Sequence, residues 1–197
     1  MNDLYPREPT SVAAAFRARV AVLGRLTALL WAIELVDVVV LGGGLDSFGI
    51  RPRTLTGLVG VLTAPFLHAG LGHLLANTVA LWPLGFLAMG RYIADFYRVF
   101  IASMLVGGLG TWVVGRGGSV HVGASGVIFG FLGYLLARGY YERKPVAMLV
   151  SLFTLGAYGG LAWQAFPFFV AEQVSWEGHL FGMLGGVLAA RGQRRRS

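Results

Sequence analysis

The sequence predicts an all-α membrane protein with six transmembrane helices, and three observations carry this prediction. The mean hydropathy is +0.68, and 13% of the residues are charged, which is about half the ~25% of soluble domains. Long uncharged stretches separate those charges. Glycine accounts for 30 of 197 residues without a Gly-X-Y period, and glycine-rich apolar helices are typical of close helix packing in membranes.

The predicted spans are stretches that exclude charged side chains over about 20 residues, because a charge at the bilayer centre costs a few kcal/mol. The uncharged stretch from Thr54 to Gly90 is too long for one helix, so its first part, around Pro65, is predicted to be a loop. The N-terminus lacks the features of a signal peptide, so the first span is predicted to be retained. The six spans are 20–42, about 70–90, 99–115, 117–137, 145–171 and 178–190.

Lysine and arginine predict the orientation, since they concentrate in cytoplasmic loops. Three of the 16 basic residues fall on one side, at Arg51, Arg53 and Arg116. The other thirteen fall on the side that holds both termini, which is therefore predicted to be cytoplasmic. The net charge of +7 is thus explained by topology and lipid contact, and nucleic acid is not predicted as a partner. The predicted organisation is a cytoplasmic segment 1–19, one membrane domain 20–191 and a basic cytoplasmic tail 192–197.

Polar residues begin the second and fourth spans. His73 and Asn77 lie four residues apart and share one helix face, and His68 precedes them near the helix entrance. Ser125 lies between glycines in the sequence GASG, residues 123–126. A serine at such a loop-to-helix junction has space around its oxygen, and the following backbone N–H groups point towards any anion formed there.

The sixth span begins with His179, which precedes Gly182 and Gly186. These glycines form a GxxxG face that permits close approach of another helix. The fourth span presents small residues at similar spacing, at Gly126, Gly130 and Gly133. Packing of these two spans is predicted to bring His179 close to Ser125.

The predicted orientation places these polar residues at one depth, because the second, fourth and sixth spans all begin on the outer side. A serine needs a base to act as a nucleophile, histidine can supply it, and amide or imidazole N–H groups can stabilise an oxyanion. Each pattern taken alone is also explained by helix packing or by polar groups that satisfy one another. Their shared depth favours a site for acyl transfer.

Two acidic residues, Glu34 and Asp37, lie within the first span. Intramembrane carboxylates often mark a proton or ion path. They can equally anchor an adjoining loop by accepting hydrogen bonds, and this structural role is the favoured interpretation.

The ordered set of motifs resembles the rhomboid family of intramembrane serine proteases. The motifs are GIRPR at 49–53, PFLHAGLGHLLAN at 65–77, GASG at 123–126 and GHLFGMLGG at 178–186. The resemblance implies a minimal bacterial six-helix bundle in the plasma membrane, with a membrane-embedded loop between helices 1 and 2. The Trp-Arg pair that several members carry in that loop is not evident, and Pro52-Arg53 stands nearby instead.

The resemblance also implies roles for individual residues. Ser125 would be the nucleophile and His179 the general base, without a carboxylate as third member. His73 and Asn77 would form the oxyanion hole with the backbone N–H of Ser125. His68 would organise loops, and Phe129 would pack on His179, which a bond to Ser125 would also orient. The family needs no cofactor or metal, and its substrates are transmembrane segments of other proteins in the lipid bilayer.

Other chemistries fit the sequence less well. A zinc protease would need an HExxH motif, which the sequence lacks. An aspartyl protease would need a second membrane aspartate besides Asp37, and the absence of cysteine excludes a thiol nucleophile. A transporter coupled through Glu34 and Asp37 would show inverted repeats, which are not seen. The alternative that stays open is a rhomboid-like protein that binds membrane clients without cleaving them.

Overall fold

The computed structural model describes residues 11–193 and is built from helices. Within this part of the chain the β-type pairing consists of a single isolated antiparallel bridge between Ile50 and His121. Six long helices correspond in order to the six predicted spans, and a single helical turn, α2, lies in the first connection. The helices are α1 (Val12–Val36), α2 (Gly60–Thr63), α3 (Leu71–Ala88), α4 (Ile93–Val114), α5 (Ser125–Glu142), α6 (Pro145–Tyr158) and α7 (Trp176–Gln193).

Three helical segments among the described residues are long and apolar enough to cross a membrane: Leu71–Ala88, Ile93–Val114 and Pro145–Ala165. They support a membrane protein. The other three long helices carry charges inside them, such as Arg25 in α1 and Arg138 in α5. The count of six spans, and the position of the first connection within a bilayer, therefore stay predictions.

Several helices begin or end about two or more turns away from the predicted span boundaries. α1 begins at Val12 rather than at 20, because the Ser11 side chain caps it by accepting a hydrogen bond from the Ala14 N–H at 3.1 Å. α5 begins at Ser125 rather than at 117, since the preceding loop contains two glycines with positive φ. α6 ends at Tyr158, before a 3-10 turn over Gly159–Ala165. Residues 1–10 and 194–197 of the predicted terminal segments lie outside the described residues.

The helix pair α5 and α7 forms the most extensive packing contact in the structure. Glycines permit this contact, since a Cβ on Gly182 would overlap the Gly126 carbonyl and a Cβ on Gly186 would overlap the Gly130 carbonyl. Both helices therefore contribute small residues at the contact, as the sequence predicted. α4 also packs against α7, where its Gly107 approaches the backbone of Gly182.

The acidic residues of the first predicted span bind backbone amides of the first connection. Glu34 accepts a hydrogen bond from the Gly70 N–H at 2.9 Å, and Asp37 accepts one from the Leu45 N–H at 2.9 Å. Both carboxylates are buried. Anchoring of the loop, the interpretation favoured from the sequence, is the arrangement found in the structure.

Arginine and tryptophan also anchor the first connection, although they are not adjacent in sequence. The Arg53 guanidinium donates to the carbonyls of Val113 at 2.9 Å and Gly115 at 2.8 Å. The Trp112 indole, from α4, donates to the Thr54 carbonyl at 2.8 Å. The connection is thus held to the end of α4 without the adjacent Trp-Arg pair.

A methyl group added to the α5–α7 contact is expected to destabilise the protein. In Gly186→Ala the new Cβ would meet the Gly130 carbonyl and lie 2.9 Å from the Tyr134 amide nitrogen, so the helices must separate, at a cost of about 1–3 kcal/mol. Thermal unfolding in detergent measures this as a lower Tm. The matched control is Gly24→Ala in α1, where no atom lies within 4 Å of the added Cβ. Equal Tm values for the two variants would contradict the packing argument.

Candidate active site

Ser125 is the first residue of α5 and follows a tightly held loop. Gly123 has φ +118°, a conformation that L side chains rarely adopt, and its N–H donates to the Ala64 carbonyl at 2.9 Å. The Ala124 N–H points at Nε2 of His68, at 3.4 Å. His68 is buried, so its ring orders the loop immediately before Ser125, which agrees with the loop-organising role that the resemblance implied.

His179 lies in the first turn of α7 and is 3% exposed. Its Nδ1 is 2.9 Å from the Gln164 carbonyl oxygen, which can only accept, so we assign the proton to Nδ1 and leave Nε2 unprotonated in the neutral ring. The Phe129 ring stacks on the imidazole with 3.9 Å between centroids and 3° between planes. These two contacts fix both the tautomer and the plane of the ring.

The expected hydrogen bond between His179 and Ser125 is absent from the described part of the chain. The two residues nevertheless come from the helix pair with the most extensive contact, and a Cβ on Gly126 would lie 3.2 Å from the Gly178 carbonyl oxygen. Ser125 and Gly178 also line one cavity. His179 is therefore oriented by Gln164 and Phe129 and not by Ser125, and its Nε2 remains available.

This cavity, of about 40 Å³, extends from Ser125 towards α4. The buried hydroxyls of Ser103 and Thr111 line it, and neither has a hydrogen-bond partner among the described residues. A cavity of this size can hold water where unpartnered hydroxyls line it, since a water molecule needs about 10–15 Å³ and polar partners. Water can thus be accommodated beside Ser125.

The side chains of His73 and Asn77 converge on Gly123, two residues before Ser125. A Cβ on Gly123 would lie 2.8 Å from His73 Nε2 and 3.5 Å from Asn77 Nδ2. The Ala69 N–H points at His73 Nδ1, at 3.4 Å, so we assign the His73 proton to Nε2. Asn77 is buried, and its Nδ2 has no partner within residues 11–193. Two N–H donors are thus directed at the space beside Gly123.

Three further polar groups near the site did not follow from the sequence. Gln164 contributes only its backbone carbonyl, which no side-chain pattern can indicate. His121 and Ser175 are joined through His121 Nδ1 and Ser175 Oγ at 2.8 Å. Each lies four residues before a predicted catalytic residue, and this shared spacing is the signal that could have found them. Within the described residues, no group of three His, Asp or Glu side chains could hold a metal ion.

Comparison with known proteins places the chain in a family. The Rhomboid domain matches residues 56–196. An uncharacterized protein of Mycobacterium tuberculosis, Rv1337, is 43% identical over 94% of this chain and 80% of its own length. ML1171 of Mycobacterium leprae is 39% identical over 83% of this chain and 66% of its own length. The rhomboid protease GluP of Bacillus subtilis is 31% identical over 66% of this chain and 25% of its own length. Since the domain match covers most of the chain, this protein belongs to the rhomboid family.

Proposed function

We propose that this protein is an intramembrane serine endopeptidase that cleaves transmembrane segments of other membrane proteins. Ser125 is the nucleophile and His179 is the general base. His73, Asn77 and the backbone N–H of Ser125 form the oxyanion hole. The rhomboid family and the name of the relative GluP support a protease, and the arrangement of these side chains supports the assignment of roles.

The observation that carries the proposal is the pair of backbone contacts that assign opposite tautomers to His179 and His73. Nδ1 of His179 faces a carbonyl oxygen, so Nε2 is a bare acceptor suited to a base. Nδ1 of His73 faces a backbone N–H, so Nε2 carries a proton and is a donor suited to an oxyanion. Acyl transfer needs one group of each kind beside the nucleophile.

In the proposed acylation step, Ser125 Oγ attacks the scissile carbonyl carbon while His179 Nε2 takes the hydroxyl proton. The carbonyl oxygen becomes negatively charged and accepts hydrogen bonds from His73, Asn77 and the Ser125 amide. The C–N bond then breaks, and the imidazolium returns its proton to the leaving amine. The product is an ester between Ser125 and the new carboxyl end of the substrate.

Deacylation requires water, which the cavity lined by Ser103 and Thr111 can supply. His179 Nε2 takes a proton from this water, whose oxygen attacks the ester carbonyl. The same donors stabilise the second oxyanion, and Ser125 Oγ leaves with the proton from His179. A transmembrane substrate must unwind locally first, because a helix engages its carbonyl groups in hydrogen bonds.

We further propose that six spans cross the plasma membrane, with both termini in the cytoplasm and the site open towards the outer side. The excess of basic residues on the predicted cytoplasmic side supports this orientation. The start of α3, α5 and α7 would then lie at the outer leaflet, which is the end at which Ser125 and His179 are found.

Removal of either member of the dyad is expected to abolish proteolysis. Ser125→Ala and His179→Ala should each lower kcat at least about 10³-fold. The reason is that removal of one member of a catalytic unit costs about as much rate as removal of all its members. The measurement is cleavage of model transmembrane substrates in liposomes, with thermal unfolding to establish that each variant folds. Ser47→Ala, at an exposed position of the 3-10 helix Gly44–Phe48, is the control and should match wild type.

Two outcomes would contradict the assignment. Undiminished cleavage by either variant would overturn the dyad. No cleavage of many substrates by the wild-type protein, combined with retained binding of those substrates, would favour the alternative of a client-binding protein.

Loss of the amide donor at Asn77 is expected to slow turnover without loosening the fold. Asn77→Ala should lower kcat by about 10²–10³-fold, the usual effect of removing one oxyanion donor, with KM changed little. Asn77→Asp should lower kcat at least as much, because a carboxylate repels the oxyanion. A drop in Tm that accounts for the lost activity of both variants would instead indicate a structural role.

The tautomer of His179 is directly measurable. We expect ¹⁵N NMR of the histidine-labelled protein in detergent to show a protonated Nδ1 and a bare Nε2 for His179, and the reverse for His73. The chain has four histidines, so single His→Gln variants assign the signals. The same tautomer at both residues would contradict the division into base and donor.

A further inference from the structure

His121 and Ser175 connect the two segments that carry the proposed dyad. His121 lies four residues before Ser125, and Ser175 lies four residues before His179. Their side chains meet at 2.8 Å, between His121 Nδ1 and Ser175 Oγ. Both residues line the cavity that also contains Ser125 and Gly178. We refer to this contact as the 121–175 bond.

The surrounding hydrogen bonds determine which of the two atoms in this contact carries the proton. The Ser119 hydroxyl donates to the Arg116 carbonyl at 2.6 Å, so it must accept from His121 Nε2, which lies 2.8 Å away. Nδ1 of His121 is then bare and accepts the hydroxyl proton of Ser175. Ser175 Oγ in turn accepts from the Gly178 N–H at 3.2 Å.

Each end of the 121–175 bond is tied to the backbone near a catalytic position. The His121 backbone pairs with Ile50 through two hydrogen bonds of 2.9 Å, which fixes it against the first connection. The Ser175 side chain caps the N-terminus of α7, and the His179 N–H donates to the Ser175 carbonyl at 3.2 Å. A shift of the His121 side chain would therefore reach Ser125 through one short loop. A shift of the Ser175 side chain would reach His179 through one helical turn.

Besides the stacking of Phe129 on His179, the α5–α7 contact at this end is made mainly by glycines. The close contacts of Gly126, Gly182 and Gly186 bring backbones together, but glycines present no knob that resists sliding or rotation. The 121–175 bond provides a directional contact at the level of Ser125 and His179, where the structure lacks a direct hydrogen bond between the dyad members.

The surroundings of His121 favour its neutral form, which can accept from Ser175. Burial is the main cause that lowers the pKa of His121 below its usual value, the Glu177 carboxylate opposes this shift, and Arg116 adds to it. Glu177 Oε2 lies 3.5 Å from Ser175 Oγ, at the outer limit of hydrogen bonding, so the Ser175 proton is directed to the imidazole. The Ser119 hydroxyl completes the polar groups bonded to the His121 ring.

We propose that His121 and Ser175 are positioning residues that hold Ser125 and His179 at reacting distance through the bond between their side chains. This inference rests on the proposed proteolytic function. Its chemical reason is that acyl transfer is sensitive to placement, and a displacement of about 1 Å can cost about 10²-fold in rate.

A double-mutant cycle on kcat tests the proposal. His121→Phe and Ser175→Ala should each lower kcat at least about tenfold and leave KM within about twofold, because the substrate site itself is intact. The double variant should be no slower than the slower single variant, since one bond is lost in all three proteins. Ser175→Thr, which keeps the hydroxyl, should restore at least half of the wild-type kcat.

Two controls separate positioning from loss of a helix cap or loss of folding. Ser11→Ala removes the side-chain cap of α1, which accepts from Ala14 at 3.1 Å, and should leave kcat unchanged. Ser175→Gly should preserve most of the stability of the helix cap, because glycine is tolerated at this position far better than alanine, yet it should lower kcat as much as Ser175→Ala. Thermal unfolding of each variant establishes that the loss occurs in folded protein.

The outcomes distinguish this proposal from the proposed function. If the wild-type protein cleaves and the His121 and Ser175 variants match it, or if their losses multiply in the double variant, the positioning role is overturned and the protease assignment stands. If the wild-type protein neither cleaves substrates nor reacts with a fluorophosphonate at Ser125, the protease assignment fails, and the positioning role falls with it.

Discussion

The close backbone approach of α5 and α7 is the constraint on which the rest of the structure depends. Gly182 and Gly186 lie against the carbonyls of Gly126 and Gly130, and no larger residue would fit there. Lipid tails are as apolar as the side chains, so the hydrophobic effect does little to drive helices together within a membrane. Close contacts between small residues are therefore a main source of helix association there. Because Ser125 begins one helix and His179 lies in the first turn of the other, the packing that stabilises the fold also brings the two residues to one place.

The histidines show how structural hydrogen bonds determine chemical roles. His68, His73 and His179 each use one ring nitrogen in a contact with backbone, to Ala124, Ala69 and Gln164 respectively. A backbone N–H at Nδ1 makes the opposite nitrogen of His73 a donor, and a backbone carbonyl at Nδ1 makes the opposite nitrogen of His179 an acceptor. The same residue type is thus suited to opposite tasks, and the difference lies in which backbone group each ring meets.

Much of this arrangement was predictable from sequence, because helical spacing places residues on faces. The glycine pattern predicted the α5–α7 contact, and the carboxylates of Glu34 and Asp37 were interpreted correctly as loop anchors. The charge pattern did not show the start of α5, because the preceding loop is as free of charge as the helix, but the GASG motif placed Ser125 at a loop-to-helix junction, where α5 begins. The Gln164 carbonyl was not predictable either, since every residue has one, and only the fold decides which carbonyl meets His179. Six spans remain a prediction, because charges inside α1, α5 and α7 obscure the apolar signal.

A carbonyl oxygen in place of a carboxylate as the orienting partner of His179 suits a buried site. An unpaired carboxylate in a low-dielectric interior carries a desolvation penalty of several kcal/mol, whereas the Gln164 carbonyl at 2.9 Å is neutral and already part of the backbone. A carbonyl fixes the tautomer as well as a carboxylate does, but it stabilises the imidazolium less. Phe129, stacked at 3.9 Å, then holds the plane of the ring. The His179 ring is thus oriented without a buried charge. Because a carbonyl stabilises the imidazolium less, the proposed chemistry depends more strongly on correct placement of Ser125 and His179.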